Sequence, residues 1–240
     1  MKNHDHHSAP STSAGPRGGS TDSTLVEDIL LLLFQPSSGS IAGENTLFYI
    51  LGGASLTELA LRDLVQTTTD GTDRITSRAT PPPEEVLLRP AWEYLARRSR
   101  YPQTVIAAVG PNLRSQVMET LLLKGHLHQT RTTFLGFVPR NRIELGSSRR
   151  EELLSHVRAV LVDEAAADAR TAALIALLSA SAQLHQLDPD IPWTSAVIQR
   201  ARGYESGHHS AQAAGLGVSQ STFLIISALA AAAAAAPRSS

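Results

Sequence analysis

The sequence predicts a mainly α-helical, single-domain protein in which amphipathic helices wrap a central buried helical bundle, with one β-hairpin added. Three observations predict this fold class. Residues 46–57 carry no charge and leave no polar face, which is typical of a helix buried on all sides. Residues 172–178 form a second run of the same kind. Between these runs, threonine and apolar residues flank a Pro-Arg-Asn sequence, a pattern that predicts one hairpin over His126–Leu145.

The central helix is predicted over Asn45–Val65, with Asn45 as its N-cap. Gly52-Gly53 lies in its middle, where each glycine costs about 1 kcal/mol of helix propensity relative to alanine. A buried helix tolerates that cost where another helix crosses closely, so we expect a crossing at this point. Glu58 and Arg62 lie four residues apart. We expect them to form an ion pair, which favours a paired carboxylate over a catalytic base.

The ends of the chain are predicted to differ. Residues 1–23 are rich in Ser, Gly, Pro and His without an apolar period, which predicts a disordered tail ahead of a domain over residues 24–240. No secretory signal is predicted, because the first apolar run begins only at Leu25. Phe223–Ala236 falls short of the roughly 20 apolar residues that a membrane span needs, so it is interpreted as a buried C-terminal helix.

The remaining elements are predicted from capping residues, prolines and glycines. Thr24 and Glu27 form a capping box that begins the first helix, which ends before Pro36. A short strand is predicted at Arg74–Thr76. A helix is predicted over residues 84–100, with a break at Pro90 and with Trp92 and Tyr94 in the core. The next helix is predicted to begin with Pro111 at its first position and to end at Gly125. Three more are predicted from a Ser148–Glu151 capping box to Val162, over Asp168–Leu187 and over Pro192–Arg202.

Composition excludes several classes of function. The 240-residue chain has no cysteine, which excludes disulfides, thiol catalysis and cysteine-ligated metal. We find no phosphate-binding glycine loop, no His-Glu-x-x-His sequence and no nucleophile elbow, so the chain is predicted to be non-enzymatic and without a cofactor. The tail residues His4, His6 and His7 lack a carboxylate or cysteine framework and are not predicted to bind metal.

Local charge is the most informative feature. Residues 110–150 contain seven basic and two acidic residues, a surplus of five positive charges in a chain whose net charge is −1. This basic segment includes the hairpin with Phe134, Leu135 and Phe137. The combination suits an anionic membrane, because apolar side chains insert while each basic residue near the surface contributes about 1 kcal/mol.

Two other interpretations use the same residues. A helix that ends in Leu123–Leu127 and continues into a basic hairpin also describes a winged helix bound to a DNA backbone. The apolar helices on either side exceed what a winged-helix domain needs, so nucleic acid is not the favoured partner. A solvated charged face, with a hairpin that pairs with another subunit, would instead indicate a purely protein-binding scaffold.

Four segments carry a resemblance to the Golgi phosphoprotein 3 family, in particular to its shorter bacterial members. Leu25–Phe34 is similar to the family's opening helix, and Leu56–Val65 to its Leu-x-Glu-Leu-Ala-Leu-Arg signature. Leu121–Leu145 is similar to its helix, Lys-Gly and hairpin, and Asp168–Leu187 to its Arg-Thr-x-Ala-Leu core helix. The order and spacing of the segments, more than any one of them, make the resemblance specific.

The resemblance implies a non-enzymatic cytoplasmic adaptor that docks peripherally on membranes. Eukaryotic members bind phosphatidylinositol 4-phosphate, the tails of glycosyltransferases and coatomer, and their hairpin supports membrane contact and self-association. For this chain the resemblance therefore implies an anionic phospholipid as partner, with phosphatidylinositol 4-phosphate as the candidate lipid. Membrane-protein tails and a homo-oligomer formed through the hairpin are further expectations.

The family's headgroup pocket is only partly present. The resemblance keeps one of its arginines as Arg114, whereas Gly52 and Pro111 stand at the positions of two others and the family's tryptophan falls near Gly43. One arginine binds a phosphate less selectively than several converging donors do. We therefore expect the protein to have lost selectivity for phosphoinositides and to keep general binding to anionic membranes. Arg114 is the predicted headgroup ligand, supported by the charges of Arg131, Arg140 and Arg142.

Overall fold

A computed structural model describes residues 23–68, 72–78, 81–134, 138–207 and 220–235, without the side chains of residues 131–141. These residues form a mainly α-helical fold, as predicted. The α-helices are α1 (Leu25–Leu33), α2 (Leu47–Leu61), α3 (Arg89–Ala96), α4 (Pro102–Leu123), α5 (Arg149–Leu161), α6 (Ala169–Ala180), α7 (Ser195–Glu205) and α8 (Gln220–Ala235). The strands are β1 (Phe34–Gln35), β2 (Ser40–Ile41), β3 (Val65–Thr67), β4 (Ile75–Ser77), β5 (Leu127–Phe134) and β6 (Val138–Leu145), which pair antiparallel in consecutive twos.

Helix α2 is the centre of the fold, as its uncharged sequence predicts. Twelve of its fifteen residues are buried, and it packs against α1, α4, α6 and α8. The predicted boundaries were too wide at both ends. Asn45 lies in a 3-10 turn (Glu44–Thr46) before the helix and does not cap it, and Val65 begins β3. The helix itself needs no polar cap to be stable, because burial of its apolar side chains on all sides supplies the driving force.

Helix α4 crosses α2 at glycines on both helices. A Cβ on Gly52 would lie 3.0 Å from the carbonyl oxygen and 3.2 Å from the Cα of Ile106. A Cβ on Gly110 would overlap the carbonyl oxygen of Phe48. The two backbones therefore touch, which confirms the predicted close crossing at Gly52-Gly53 and explains why glycine is accepted in a buried helix.

Pro111 lies inside α4, not at its start, so the predicted helix start is wrong. The helix begins nine residues earlier with Pro102 at its first position. An internal proline removes the hydrogen bond to the carbonyl four residues before it. Here that carbonyl belongs to Ala107, and both Ala107 and Pro111 are exposed, so water can reach the freed oxygen. The buried face of α4 against α2 keeps the helix continuous.

Helix α6 is shorter than the predicted Asp168–Leu187. It ends at Ala180, where the Ser181 hydroxyl donates to the carbonyl oxygens of Leu177 and Leu178, and Ala182 adopts a left-handed backbone conformation with φ of 55°. A serine that bonds to the preceding turn competes with the helical backbone pattern. The apolar sequence continues past this point into a 3-10 turn over Leu184–Leu187, so hydrophobicity alone did not reveal the end.

Other predicted boundaries are corrected in similar ways. Ser148 has helical backbone angles, and its hydroxyl donates to Glu152 Oε1 at 2.6 Å, so the predicted Ser148–Glu151 capping box is absent. Residues 84–88 form turns before α3, where a short helix was expected. Phe134 pairs with Val138, which places the predicted Pro-Arg-Asn turn inside β6. The capping box of Thr24 and Glu27, the Glu58–Arg62 ion pair and the core packing of Trp92 and Tyr94 are confirmed.

The C-terminal helix α8 is buried along one face only. Its buried residues run from Ser221 to Leu229, while Phe223 is exposed and Ala236 lies outside the described residues. The predicted buried helix is therefore half correct. None of the described helices combines the length and apolar content that a bilayer crossing requires. The predicted tail, residues 1–23, lies outside the described residues except for Ser23.

Asp168 caps the N-terminus of α6 and gives the fold an acid-sensitive contact. Its carboxylate accepts from the backbone N–H of Thr171 at 2.9 Å and from the Thr171 hydroxyl at 2.7 Å. Burial by itself raises the pKa of Asp168, but these hydrogen bonds lower it below its ordinary value of 3.8. The stabilisation from Asp168 is therefore complete above pH 3.8 and is lost as the pH falls through the lower folded-state pKa.

We expect Asp168→Ala to lower the free energy of unfolding by about 1 kcal/mol at neutral pH, the usual cost of losing a helix cap. Urea unfolding at neutral pH and at steps below pH 4 measures the difference from the wild type. This difference should shrink in the acid range, because protonated Asp168 no longer contributes its charge. Asp168→Asn, which keeps a cap acceptor, should cost less. A difference that is constant across pH would show that the charge of Asp168 does not stabilise α6.

Candidate functional site

Arg114 lies on the outer face of α4 and is neither buried nor unpaired. Its side chain is 50% exposed and its Nε forms an ion pair with Oε1 of Glu44, whose side chain is 49% exposed. Glu44 is the first residue of the 3-10 turn that precedes α2. The chain thus places an acid directly against the arginine that was predicted to bind a headgroup, so any phosphate there must compete with Glu44.

The other positions of the implied headgroup pocket supply no further cation. Gly52 faces the Ile106 backbone at the helix crossing, where no side chain fits. The Gln183 side chain occupies the space that a Cβ on Gly43 would need, and Gly43 has a left-handed backbone with φ of 67°. Pro111 is exposed one turn before Arg114. The structure therefore brings Gly43, Pro111 and Arg114 to one region. Of these three pocket positions, Arg114 alone carries a positive charge.

A groove of about 740 Å³ opens beside this region, and sequence reasoning missed it. It runs between the 3-10 turn before α2, the end of α6 and the alanine-rich turns of α8. Two of its lining residues are acidic, Glu44 and Glu205, and none of the described residues that line it is lysine or arginine. This charge disfavours a phosphate ligand. The groove combines residues from distant segments, so no local sequence signal could have revealed it.

Arg142 connects the hairpin to the body of the protein. Its Nη2 donates to the carbonyl oxygens of Ser37 at 3.2 Å and Pro36 at 3.4 Å, in the turn between β1 and β2. Its Nε lies 3.5 Å from Oε1 of Glu144. The side chain is nevertheless 44% exposed, so Arg142 also carries charge at the surface. Arg142 therefore supports the hairpin as well as carrying exposed charge.

The remaining predicted hairpin residues are placed only by their backbone, or not at all. Arg131 pairs with Asn141 and Arg140 with Thr132 in the ladder between β5 and β6, and Phe134 is the last residue of β5. The side chains of these three residues, like the whole of Leu135 and Phe137, lie outside the described residues. Within the described part of the chain, Arg114 and Arg142 have different partners and share no contact.

Three buried carboxylates lie near the base of the hairpin, and their grouping was not predicted. Asp28 is fully buried and accepts from Arg149 Nε and Nη2 at 3.1 and 3.0 Å and from Arg170 Nε and Nη2 at 3.0 and 2.9 Å. Glu58 accepts from the backbone N–H of Leu25 at 2.6 Å and from Arg170 Nη1 at 3.1 Å. The third carboxylate is that of Glu27. We use the name ion cluster for Asp28, Glu58 and Glu27 together with their basic partners.

Glu27 and the outer members complete the ion cluster. The Glu27 carboxylate accepts from the Thr24 N–H at 2.7 Å and lies 2.9 Å from Lys124 Nζ. Arg62 bridges Glu58 and Glu85. Burial lowers the pKa of Arg62, but the hydrogen bonds to Glu85 and Glu58 outweigh this and raise it. Burial likewise raises the pKa of Glu85, but hydrogen bonds from Arg62 and from the backbone, together with the charges of Arg62 and Lys124, lower it below its ordinary value, so both groups are charged at neutral pH.

The ion cluster offers paired charges, not a free base or a metal site. Each buried carboxylate has at least one cationic partner, and the described residues contain no group of three or more His, Asp or Glu side chains arranged to hold a metal ion. His4, His6 and His7 lie outside the described residues. The one available signal in the sequence was the presence of two acids, Glu27 and Asp28, in an otherwise apolar helix. Only the capping role of Glu27 was predicted from it.

The sequence model of the family described as Golgi phosphoprotein 3 (GPP34) matches residues 25–222 of the chain. The matched range begins with the first residue of α1 and extends into α8, so it includes the α2 core, the hairpin and the ion cluster. No curated protein matches the chain.

Proposed function

The chain belongs to the Golgi phosphoprotein 3 family, and from this premise we propose that it is a non-enzymatic adaptor that binds peripherally to anionic membranes. The observation that best supports the proposal is the exposed position of Arg114 on α4, in the segment with a surplus of positive charge. Arg142 adds exposed charge on the hairpin.

The Glu44–Arg114 ion pair is weak enough for a lipid phosphate to replace it. Both side chains are about half exposed, and exposed ion pairs contribute only about 0–1 kcal/mol. A lipid phosphate offers charge-assisted hydrogen bonds to the same guanidinium. At the surface of a bilayer the many phosphates also raise the local concentration of competing anions. Glu44 then competes with the lipid phosphate for Arg114, which reduces the affinity for the membrane without preventing the contact between phosphate and arginine.

Selectivity for phosphatidylinositol 4-phosphate is expected to be small. A phosphate monoester needs several converging donors, but the two positions at which the resemblance places further arginines hold Gly52, where the Ile106 backbone leaves no room for a side chain, and Pro111. The proposed ligand class is therefore anionic phospholipid in general, with phosphatidylinositol 4-phosphate as one member. Insertion of Phe134, Leu135 and Phe137, supporting charge from Arg131 and Arg140, binding of membrane-protein tails, and self-association through the hairpin belong to the same proposal.

Two substitutions with opposite expected effects test the role of Arg114. Arg114→Ala should weaken sedimentation with phosphatidylserine vesicles about fivefold, which corresponds to the loss of about 1 kcal/mol for one basic residue at the surface. Glu44→Gln should strengthen it, because the competing carboxylate is removed. Both variants should keep the wild-type melting temperature within a few degrees, since the pair is exposed.

Arg78→Ala is the matched control, because Arg78 also forms an exposed ion pair, with Asp63, but lies outside the basic segment. It should bind vesicles like the wild type. Equal binding of the wild type, Arg114→Ala and Glu44→Gln would refute the role of Arg114. A protein that fails to bind any vesicle would refute the membrane proposal and favour the protein-binding scaffold.

A further inference from the structure

The two ends of the hairpin are fixed to neighbouring residues of one helix. Lys124 lies three residues before β5 and pairs with Glu27 at 2.9 Å. Arg149 lies four residues after β6 and pairs with Asp28 at 3.0 Å. Glu27 and Asp28 are consecutive residues in the first turn of α1. The chain segments that enter and leave the hairpin therefore meet at one point on the core.

This attachment point is buried and held by several contacts. All nine residues of α1 are buried, and the carboxylates of Glu27 and Asp28 are 1% and 0% exposed as side chains. Asp28 is also bound by Arg170, and Glu27 by the N–H and hydroxyl of Thr24, so neither carboxylate is free to follow a moving hairpin. Buried ion pairs are screened little by salt, in contrast to the exposed pair of Arg114.

Further hydrogen bonds close the base of the hairpin between the two ion pairs. The backbone N–H of Gly146 donates to the carbonyl oxygen of His126 at 2.8 Å, and His126 Nδ1 lies 2.8 Å from the Ser147 hydroxyl. Arg150 donates through Nε to the carbonyl oxygen of Phe34, at the end of α1. The hairpin is thus held at its base by several contacts, and Arg142 adds two hydrogen bonds along its length.

We propose that Lys124 and Arg149 are positioning residues that fix the direction in which the hairpin leaves the helical bundle, through their ion pairs with Glu27 and Asp28. This inference rests on the proposed membrane binding. A strand of eight residues extends about 27 Å, so a small rotation at the base moves the far end by many ångströms. Fixing the base allows the hairpin and α4 to contact one bilayer together, and simultaneous contacts raise affinity without any new interaction.

The ion pair of Lys124 and Glu27 is the one to remove, because Asp28 has additional partners whose loss would destabilise the core. The double variant Glu27→Gln with Lys124→Met removes both charges, so no buried charge is left unpaired. Glutamine keeps an oxygen that can accept from Thr24, which preserves the capping box. Glu27→Asp would be less informative, because the shorter side chain would disturb the contacts with Thr24 and with Lys124 at once.

Spin-label distances measure the orientation of the hairpin directly. The chain has no cysteine, so Thr132→Cys on β5 and Gln199→Cys on α7 provide two unique labelling sites. The wild type should give a narrow distance distribution, and Glu27→Gln with Lys124→Met should give a clearly broader one at the same melting temperature. The control Asp63→Asn with Arg78→Met, which removes an exposed pair elsewhere, should leave the distribution narrow.

Vesicle sedimentation then connects orientation with binding. The variant Glu27→Gln with Lys124→Met should bind phosphatidylserine vesicles about tenfold more weakly, because its two contact regions no longer engage together. The single variant Lys124→Arg, whose side chain can still pair with Glu27, should keep both the narrow distance distribution and the wild-type binding. A purely structural role for Lys124 would lower the melting temperature without widening the distribution in the folded protein.

The two proposals fail in distinguishable ways. A distance distribution that stays narrow in the double variant would overturn the positioning role, whatever the vesicles show. A broadened distribution with unchanged vesicle binding would support the positioning of the hairpin but overturn the inferred role of that positioning in membrane binding. Absence of vesicle binding by the wild type would refute the proposed function, and with it the purpose of the positioning, while the distances still report whether the ion pair holds the hairpin.

Discussion

Replacement of Asp28 by asparagine is expected to lower the free energy of unfolding by about 3–5 kcal/mol, the usual cost of breaking a buried ion pair by removing one partner. Asp28 is fully buried and accepts from two arginines and from the Ser23 hydroxyl at 3.2 Å. Asparagine has the same shape but one acceptor fewer and no charge. Arg149, which is only 11% exposed, would then keep its charge in a poorly hydrated position.

A loss of this size is a large share of the 5–15 kcal/mol that typically stabilises a domain. Urea unfolding followed by tryptophan fluorescence measures it. Asp63→Asn is the matched control, because Asp63 also pairs with an arginine but is 72% exposed, and it should cost less than about 1 kcal/mol. A loss below 1 kcal/mol for Asp28→Asn would mean that the ion cluster does not hold α1, α5 and α6 together.

Gly110→Ala is expected to destabilise the protein by about 3 kcal/mol or more, at the upper end for overpacking. The added Cβ would overlap the carbonyl oxygen of Phe48, which is backbone and cannot change rotamer. Helices α2 and α4 would have to move apart along their contact. Alanine is the better helix former by roughly 1 kcal/mol, so a net loss would show that the collision outweighs propensity.

Gly53→Ala provides the comparison for Gly110→Ala, because Gly53 is also a buried helix glycine but faces side chains of α6 and α8. Its added Cβ would lie 3.1 Å from Leu229 Cδ2 and 3.4 Å from Leu177 Cδ2, which are the ends of flexible side chains. We expect this variant to change the free energy of unfolding by less than about 1 kcal/mol, since side chains can adjust and propensity improves. Equal losses for the two variants would contradict a backbone contact at Gly110.

The helices that could be predicted from sequence are those whose own residues decide their environment. The segment that forms α2 has no polar face, so its central position could be predicted without knowing which helices pack around it. The contacts of Thr24 with Glu27 and of Glu58 with Arg62 span one helical turn and need no knowledge of the fold. For the same reason the mainly α-helical class was predictable.

The errors arise where a local signal is outweighed by tertiary packing or by a further hydrogen bond to the backbone. Pro111 normally starts a helix, yet packing of α4 against α2 carries the helix through it. Ser181 ends α6 within a sequence whose hydrophobicity continues. Both predicted boundaries were therefore wrong, at Pro111 because packing keeps the helix continuous and at Ser181 because the hydroxyl bonds to the preceding turn.

The site was predictable only in part, because its key pairs join distant segments. Arg114 could be proposed from the resemblance, but its ion pair with Glu44 requires the 3-10 turn and α4 to meet. Asp28 lies 121 residues from Arg149 and 142 from Arg170 in the sequence, a separation over which no spacing rule applies. The pairing that forms the ion cluster is therefore a property of the fold, not of any motif.

The protein is expected to bind anionic membranes through exposed arginines, and vesicle sedimentation of the wild type tests this binding most directly. Phosphatidylcholine vesicles, phosphatidylserine vesicles and vesicles with phosphatidylinositol 4-phosphate would be compared at two salt concentrations. We expect binding to both anionic compositions, with little preference for the phosphoinositide, and a clear decrease at the higher salt, because the screening length falls from about 10 Å at 0.1 M to about 3 Å at 1 M. Equal sedimentation with neutral and anionic vesicles, or none with any of them, would contradict the account.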